Sequence, residues 1–127
     1  MKFLRNALLA LMFASTFTAC SKDDDNKPSS SSHKVVFKAI ASAGCTLTAA
    51  AYAYDGHQTT ATGLSGATWT SPEITVPPGT VLVTAAVVGS GVNASSSLKV
   101  QIFVDGDLKK EGISTGEILN TSATYSF

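Results

Sequence analysis

Acid–base or nucleophilic chemistry in this chain would have to start from two histidines, His33 and His57, because a hydroxyl nucleophile needs a base within hydrogen-bond reach. His33 follows a run of serines and His57 follows Asp55-Gly56, so neither has a spacing that holds it against a buried serine or threonine. Asp105-Gly106-Asp107 offers two carboxylates, but a calcium site takes about six to eight oxygen ligands, and Leu108-Lys109-Lys110 continues with none.

Other reaction and cofactor motifs are missing from the sequence as well. The cysteines and histidines lack zinc spacing, and no glycine-rich phosphate loop leads from a strand into a helix. The sequence therefore predicts a non-enzymatic protein with no catalytic residue, no metal site and no cofactor.

The N-terminal segment has the pattern of a secretory leader. Lys2 and Arg5 provide a basic start, and the apolar run Ala7 to Phe17 has the length of a signal-peptide core, about 7 to 15 residues, and is shorter than the ~20 residues of a spanning helix. The small residues Thr18 and Ala19 directly precede Cys20. Residues 1–19 are therefore expected to be cleaved off.

The stretch ending in Cys20 resembles the lipobox of bacterial lipoproteins. The resemblance implies that cleavage precedes Cys20, that its thiol carries a diacylglyceryl group and that its new amine is acylated. Stable anchoring takes two signals, which such a lipid supplies. The alternative is a cytosolic apolar helix with a chance cysteine, which requires the basic start, the apolar length and the polar continuation to coincide.

A charged stretch follows the expected lipid attachment site: Ser21, Lys22, Asp23, Asp24 and Asp25. It resembles the acidic signal by which certain Gram-negative bacteria export lipoproteins to the outer face of the outer membrane; the alternative is a solvated spacer. The serines that follow continue a composition with too little apolar surface to offset its ordering entropy. Residues 20–32 are therefore predicted to be a lipidated cysteine and a flexible tether, and the location to be the outer membrane, exposed on the cell surface.

Residues 33–127 have the length of one small domain. Their lysines are slightly outnumbered by Asp and Glu, and the chain has no arginine after Arg5. Without a cluster of basic residues, nucleic acid is not expected as a partner. Cys45 is the only thiol left once Cys20 is acylated, so it is expected to be either a buried small hydrophobe or a reactive thiol, with burial favoured.

The domain is predicted to be all-β, because strand-forming runs and turn signals alternate and no long stretch keeps a helical apolar period. In Leu98 to Val104, apolar residues alternate with Lys99, Gln101 and Phe103, which places Phe103 on the outward face. The predicted strands are Lys34 to Ile40, Thr46 to Tyr54, Gln58 to Thr62, Trp69 to Val76, Val81 to Val88, Leu98 to Val104, Leu108 to Ser114 and Thr121 to Phe127.

Two Asp-Gly pairs, Asp55-Gly56 and Asp105-Gly106, each follow a strand pattern and predict hairpins with type I′ turns, which need positive φ at both central residues. Pro77-Pro78-Gly79 ends a strand, and residues 89–93 favour a loop. About seven or eight short strands with such turns predict a small two-sheet, Ig-like β-sandwich.

The order of these features resembles the MmpS-like (mycobacterial membrane protein small) transport-accessory family. The resemblance covers most of 33–127 and implies an Ig-like sandwich held at a membrane surface, with a role beside lipid or siderophore exporters in some members. Actinobacterial members often carry a cysteine pair near the last strands, where this chain has no cysteine. The residues that carry the likeness are Trp69, Pro78-Gly79, Val81 to Val88, Val100 to Gly106 and Gly116.

These observations predict a surface lipoprotein that acts as a non-catalytic binding or accessory module. The alternatives are an accessory subunit of an export system and a passive structural protein of the envelope. The expected contacts are the membrane, through the lipid, and an envelope protein, glycan or lipid ligand; the oligomeric state is left open. Tyr52, Tyr54 and Phe103 are the candidate contact aromatics, whereas Trp69 and Tyr125 are expected in the core.

Overall fold

The computed structural model describes residues 31–127, and these residues form nine β-strands in two antiparallel sheets. The all-β, two-sheet sandwich predicted from the sequence is confirmed, with nine strands instead of seven or eight. The strands are β1 (His33–Ala41), β2 (Thr46–Tyr54), β3 (His57–Ala61), β4 (Thr68–Thr70), β5 (Ile74–Val76), β6 (Leu82–Ser90), β7 (Ser97–Val104), β8 (Asp107–Thr115) and β9 (Ile118–Ser126).

The chain passes back and forth between the two sheets. The first sheet has the order β4-β1-β7-β8, with β5 also paired to β1, and the second sheet has the order β3-β2-β6-β9. Strands β2 and β3 form one hairpin and β7 and β8 form another, each joined by an Asp-Gly pair. The chain then crosses from β8 in the first sheet to β9 in the second, so the last two strands lie along the same side of the sandwich.

The prediction of a single strand from Trp69 to Val76 was wrong, and Pro72 explains the difference. Proline lacks the N–H that a ladder position needs, so the segment divides into β4 and β5, both of which pair with β1. Ser71 satisfies the backbone at the break: its N–H donates to the carbonyl of Phe37 at 2.8 Å, and its hydroxyl accepts the Phe37 N–H at 2.9 Å.

Alternate side chains of both sheets meet in the core, as the period of two predicts. Phe37 is fully buried and lies 5.1 Å from the ring of Tyr52, whose ring in turn lies 5.7 Å from that of Trp69. The first sheet contributes Val35, Phe37, Ala39, Leu98, Val100, Ile102 and Val104, and the second contributes Leu47, Tyr52, Val83, Ala85, Val87 and Leu119.

The sandwich is closed on one side by a close approach of β9 to β8 at Gly112. A Cβ at this position would overlap the carbonyl oxygen of Ser122 and lie 2.9 Å from the hydroxyl oxygen of Thr121. Only glycine leaves room for the two backbones to come so near. Gly112 therefore fixes how the edges of the two sheets meet.

Candidate functional site

The sandwich has two different ends, and the position of the chain termini distinguishes them. The ring of His33, the first residue of β1, stacks on that of Phe127, the last residue of the chain, with centroids 4.9 Å apart. Both Asp-Gly turns lie at this end, because Asp105 contacts Lys34 and Asp55 contacts the start of β6. We call it the tether end, since residue 33 follows the predicted tether.

Both Asp-Gly turns have positive φ at their central residues, 45° and 88° at Asp55 and Gly56 and 52° and 87° at Asp105 and Gly106. Each aspartate also holds a neighbouring strand. The carboxylate of Asp55 accepts the N–H groups of Val81, at 3.0 Å, and Leu82, at 3.1 Å. The Asp55 side chain thus forms its hydrogen bonds inside the fold, and its role is structural.

Asp105 joins the turn after β7 to the first strand. Its Oδ1 accepts the N–H of Lys34 at 2.9 Å, and its Oδ2 lies 2.6 Å from Nδ1 of His33. The hydrogen bond from the Lys34 N–H, followed by that from His33, holds the pKa of the Asp105 carboxyl below its ordinary value. Since the carboxylate is favoured in the folded state, Asp105 stabilises the fold above the pKa of an unfolded aspartate and loses this effect as pH falls.

Replacing Asp105 with asparagine is expected to flatten the acid side of the stability profile. The Tm of the variant should lie below that of the wild type at neutral pH. The gap should begin to narrow as pH falls through about 4, the pKa of an unfolded aspartate, and close at lower pH, once the folded carboxyl is protonated as well. Thermal unfolding between pH 7 and 2 measures both curves. Asp107→Asn is the matched control, because Asp107 takes no part in the contacts to His33 and Lys34; a constant gap for Asp105→Asn would contradict the assignment.

The opposite end, which we call the distal end, consists of the loops formed by residues 42–45, 62–67, 91–96 and 116–117, named here the distal loops. Hydrogen bonds tie these loops to one another and to the strand ends. Ser42 accepts the Ser97 N–H through its hydroxyl at 3.0 Å, and Gly116 donates to the carbonyl of Ser96 at 2.8 Å. Loops held in this way present a defined surface at little entropic cost on binding.

The hydroxyl of Ser96 organises the 91–96 loop at this end. It accepts the N–H groups of Val92, at 2.8 Å, and Asn93, at 3.2 Å, and is itself buried. This bonding turns the side chain of Val92 outward, where it is 57% exposed. Ile118, directly after the 116–117 turn, is 85% exposed. Two large apolar side chains therefore project at the distal end.

Cys45 is the last residue of the 42–45 loop and is a buried free thiol, as expected for a leftover cysteine. Its Sγ lies 3.3 Å from the Ser42 hydroxyl oxygen. The hydrogen bond from Ser42, followed by that from Ser96, lowers the pKa of the thiol below its ordinary value, against the opposing effect of burial. With 4% of the residue exposed, the thiol serves packing at the loop base.

The candidate contact aromatics differ in position. Tyr52 is a core residue with 7% exposure, so its selection as a contact residue was wrong: it faces inward, next to Phe37. Tyr54 is half-buried near the end of β2, with its ring 4.9 Å from that of His57. Phe103 faces outward, as predicted, but is half-covered, and the ammonium of Lys38 lies 4.9 Å from its ring centroid.

A shallow groove of about 250 Å³ runs beside Phe103 on the outer face of the first sheet. Lys34 and Glu73 at its wall form an ion pair at 3.8 Å, so the charges there are partly neutralised. Among residues 31–127, no group of three or more His, Cys, Asp or Glu side chains is placed to hold a metal ion. The groove therefore offers one aromatic side chain, Phe103, for packing, and its lining residues include no acid–base or nucleophile–base pair.

The exposed apolar side chains at the distal end are not among the contact residues predicted from the sequence. Residues 89–93 were expected to be a loop throughout, but β6 continues to Ser90, and only the residues beyond it project. The signal in the sequence was a large apolar residue close to a glycine at a turn, where an apolar side chain has no core to enter: Val92 directly follows Gly91, and Ile118 lies two residues after Gly116.

The predicted anchor lies outside the described residues, as do the positions of the proposed export signal: Cys20, Ser21, Lys22, Asp23, Asp24 and Asp25. Within 31–127, no helix has the length and apolar character needed to cross a membrane. Comparison with known protein families and with curated proteins found no match for this chain.

Proposed function

We propose that this chain is a surface-exposed lipoprotein of the outer membrane whose β-sandwich acts as a non-catalytic binding or accessory module. The lipid on Cys20 is the anchor, residues 21–25 are the export signal, and the distal loops are the contact surface. The observation that supports this most is the separation of the two ends: the chain leaves the tether next to Phe127, and Val92 and Ile118 project at the far end.

The proposed anchor is compatible with the positions of the two ends of the sandwich. A diacylglyceryl thioether with an amide-linked chain holds a protein at the bilayer durably. The polar tether separates the sandwich from the lipid, and the end of the sandwich that receives the tether lies nearest to the membrane. The distal loops then point into the surroundings of the cell, ordered by their own hydrogen bonds before any partner arrives.

Replacing Cys20 with alanine is expected to abolish lipid attachment, because no other residue type carries this lipid. The product should be either an uncut precursor, which is longer than the mature wild-type chain on a gel, or a chain of mature length that leaves the detergent phase. The matched variant replaces Asp23, Asp24 and Asp25 with alanine. It should remain in the detergent phase and lose access to external protease on intact cells. A Cys20→Ala chain of mature length that stays in the detergent phase refutes the anchor, and unchanged protease access of the aspartate variant refutes the export signal.

The contact surface is tested by a pair of aspartate substitutions, Val92→Asp and Ile118→Asp, with Leu108→Asp as control. All three positions are exposed, but Leu108 lies in β8, beside the turn at the tether end. We expect capture of an envelope protein or glycan by the full-length chain to fall with the distal variants only, since a charge opposes burial of an apolar contact. Equal capture by all variants, or substrate turnover lost on mutating His57, would contradict the proposal.

A further inference from the structure

The charges of the sandwich are segregated between its sheets. No Lys, Arg, Asp or Glu occurs in β2, β3, β6 or β9, the strands of the second sheet. The first sheet holds every lysine of the described residues: Lys34, Lys38, Lys99, Lys109 and Lys110. A solvent-facing sheet normally carries charged side chains outward, so the uncharged sheet needs a separate reason.

The outward side of the second sheet has small apolar residues at its centre and neutral polar residues around them. We call it the alanine face. Its central residues lie on β2 and β6, and its polar residues lie mainly on the outer strands β3 and β9. The centre comprises Ala49, Ala51, Ala53, Ala86 and Val88, and the rim comprises Gln58, Thr60, Thr84, Asn120, Ser122 and Thr124.

The alanine face contains two shallow hollows. They have volumes of about 120 Å³ and 160 Å³, and Ala51 and Ala86 line both. Gln58 and Thr84 border the first, and Thr60 and Val88 border the second. The face shares two features with protein–protein interfaces, an apolar centre without charges and a polar rim.

We propose that a second copy of this chain packs on the alanine face, related by a two-fold axis that runs parallel to the strands between β2 and β6. Two sheets pack face to face with their strands roughly aligned. Such an axis places β2 of one copy over β6 of its partner, so the same face is used twice in an isologous dimer.

The register between β2 and β6 makes this arrangement self-complementary. Ala49 is paired with Val88, Ala51 with Ala86, and Ala53 with Thr84. The axis therefore places Val88 and Thr84 of β6 over Ala49 and Ala53 of β2 in the other copy, with Ala86 over Ala51 between them. The polar strands meet in the same way, with β3 over β9, so that neutral hydrogen-bonding groups face one another at the rim. Small residues opposite larger ones allow the two faces to interdigitate.

The size of the face suits a weak dimer that membrane anchoring would strengthen. Three strands of nine residues and one of five cover roughly 500 Å², against about 800 Å² per partner in a standard interface. Under the proposed anchoring, this axis stands along the membrane normal and keeps both tethers at one membrane. Confinement there raises the effective concentration of the two copies.

The test uses two full-length copies with different tags in the same membranes, one carrying Ala51→Cys and the other Ala86→Cys. A short thiol-specific cross-linker should join the two tagged chains. Copies carrying Gln101→Cys are the control, because Gln101 faces outward from the first sheet. Cross-linking no stronger than in this control overturns the proposal, whether the face is then bare or covered by another molecule such as a neutral polysaccharide.

A second substitution separates loss of the dimer from loss of the fold or of the anchor. Val88→Lys, added to both cysteine copies, should reduce cross-linking about tenfold or more, because Val88 lies on the same face and the change buries two unpaired charges at the interface. Gln101→Lys should leave it unchanged. Tm and membrane fraction are measured on the same samples: cross-linking that persists in a folded, membrane-bound Val88→Lys protein refutes the interface, and failure of the proposed anchor appears separately as a lost membrane fraction.

Discussion

Phe37→Ala is expected to lower the free energy of unfolding by about 3–5 kcal/mol. Phe37 has no exposed surface, and its ring lies against Tyr52 of the opposite sheet. It is the largest side chain that β1 places in the core, opposite Ile102 of β7. Removing the ring loses apolar burial and leaves a cavity that two hydrogen-bonded sheets cannot collapse to fill. In a domain stable by about 5–15 kcal/mol, this loss leaves little reserve.

Urea unfolding of both proteins measures this difference, and Phe103→Ala is the matched control. Phe103 is the same residue type on β7, with its side chain on the outer face and the Lys38 ammonium near its ring. Its loss should cost about 1 kcal/mol, because water already reaches part of the ring. Equal losses for the two substitutions would contradict the placement of Phe37 between the sheets.

Gly112→Ala is expected to destabilise the protein by about 1–3 kcal/mol. At an unstrained position, replacing glycine with alanine stabilises by about 0.4–1 kcal/mol, because the unfolded chain has fewer conformations. Here the added methyl group would occupy the space of the Ser122 carbonyl, and backbone atoms cannot turn aside as a side chain can. The closure between β8 and β9 must then open, so the sign of the effect is itself diagnostic.

Thr115→Ala is the control for Gly112→Ala, since it introduces the same residue at an exposed position on the same strand. Its effect should stay within about 0.5 kcal/mol. Chemical denaturation yields both values. A Gly112→Ala protein as stable as the wild type would show that the two strands do not approach as described.

Much of the fold could be predicted from the sequence because its local signals agree with its tertiary structure. Thr46 to Tyr54 was predicted with its observed bounds, since a strand pattern there ends at an Asp-Gly turn. The break at Pro72 was missed because strand-forming residues on both sides outweighed a single proline. Proline is tolerated there because both fragments pair with β1 at an edge.

The candidate surfaces were harder to predict than the strands. Tyr52 and Tyr54 share one face of β2, and only their distance from the strand end separates a core residue from a half-buried one. In the sequence Gly112 looks like any glycine in a strand, because its role depends on the close approach of Ser122 in β9, which the local sequence does not show. The alanine face was visible as four strand segments without a charge, but the pairing that joins them is not encoded in any one segment.

The position of β1 also determines how the molecule bears mechanical load. The strand that directly follows the proposed tether is bonded to β7 on one side and to β4 and β5 on the other. A force between the membrane and a partner held at the distal loops would act along β1, so its hydrogen bonds would be strained together in shear. A strand at the rim of a sheet, pulled sideways, would peel one bond at a time. An attachment at His33 therefore suits a protein that must resist a pulling force while it is bound to a partner.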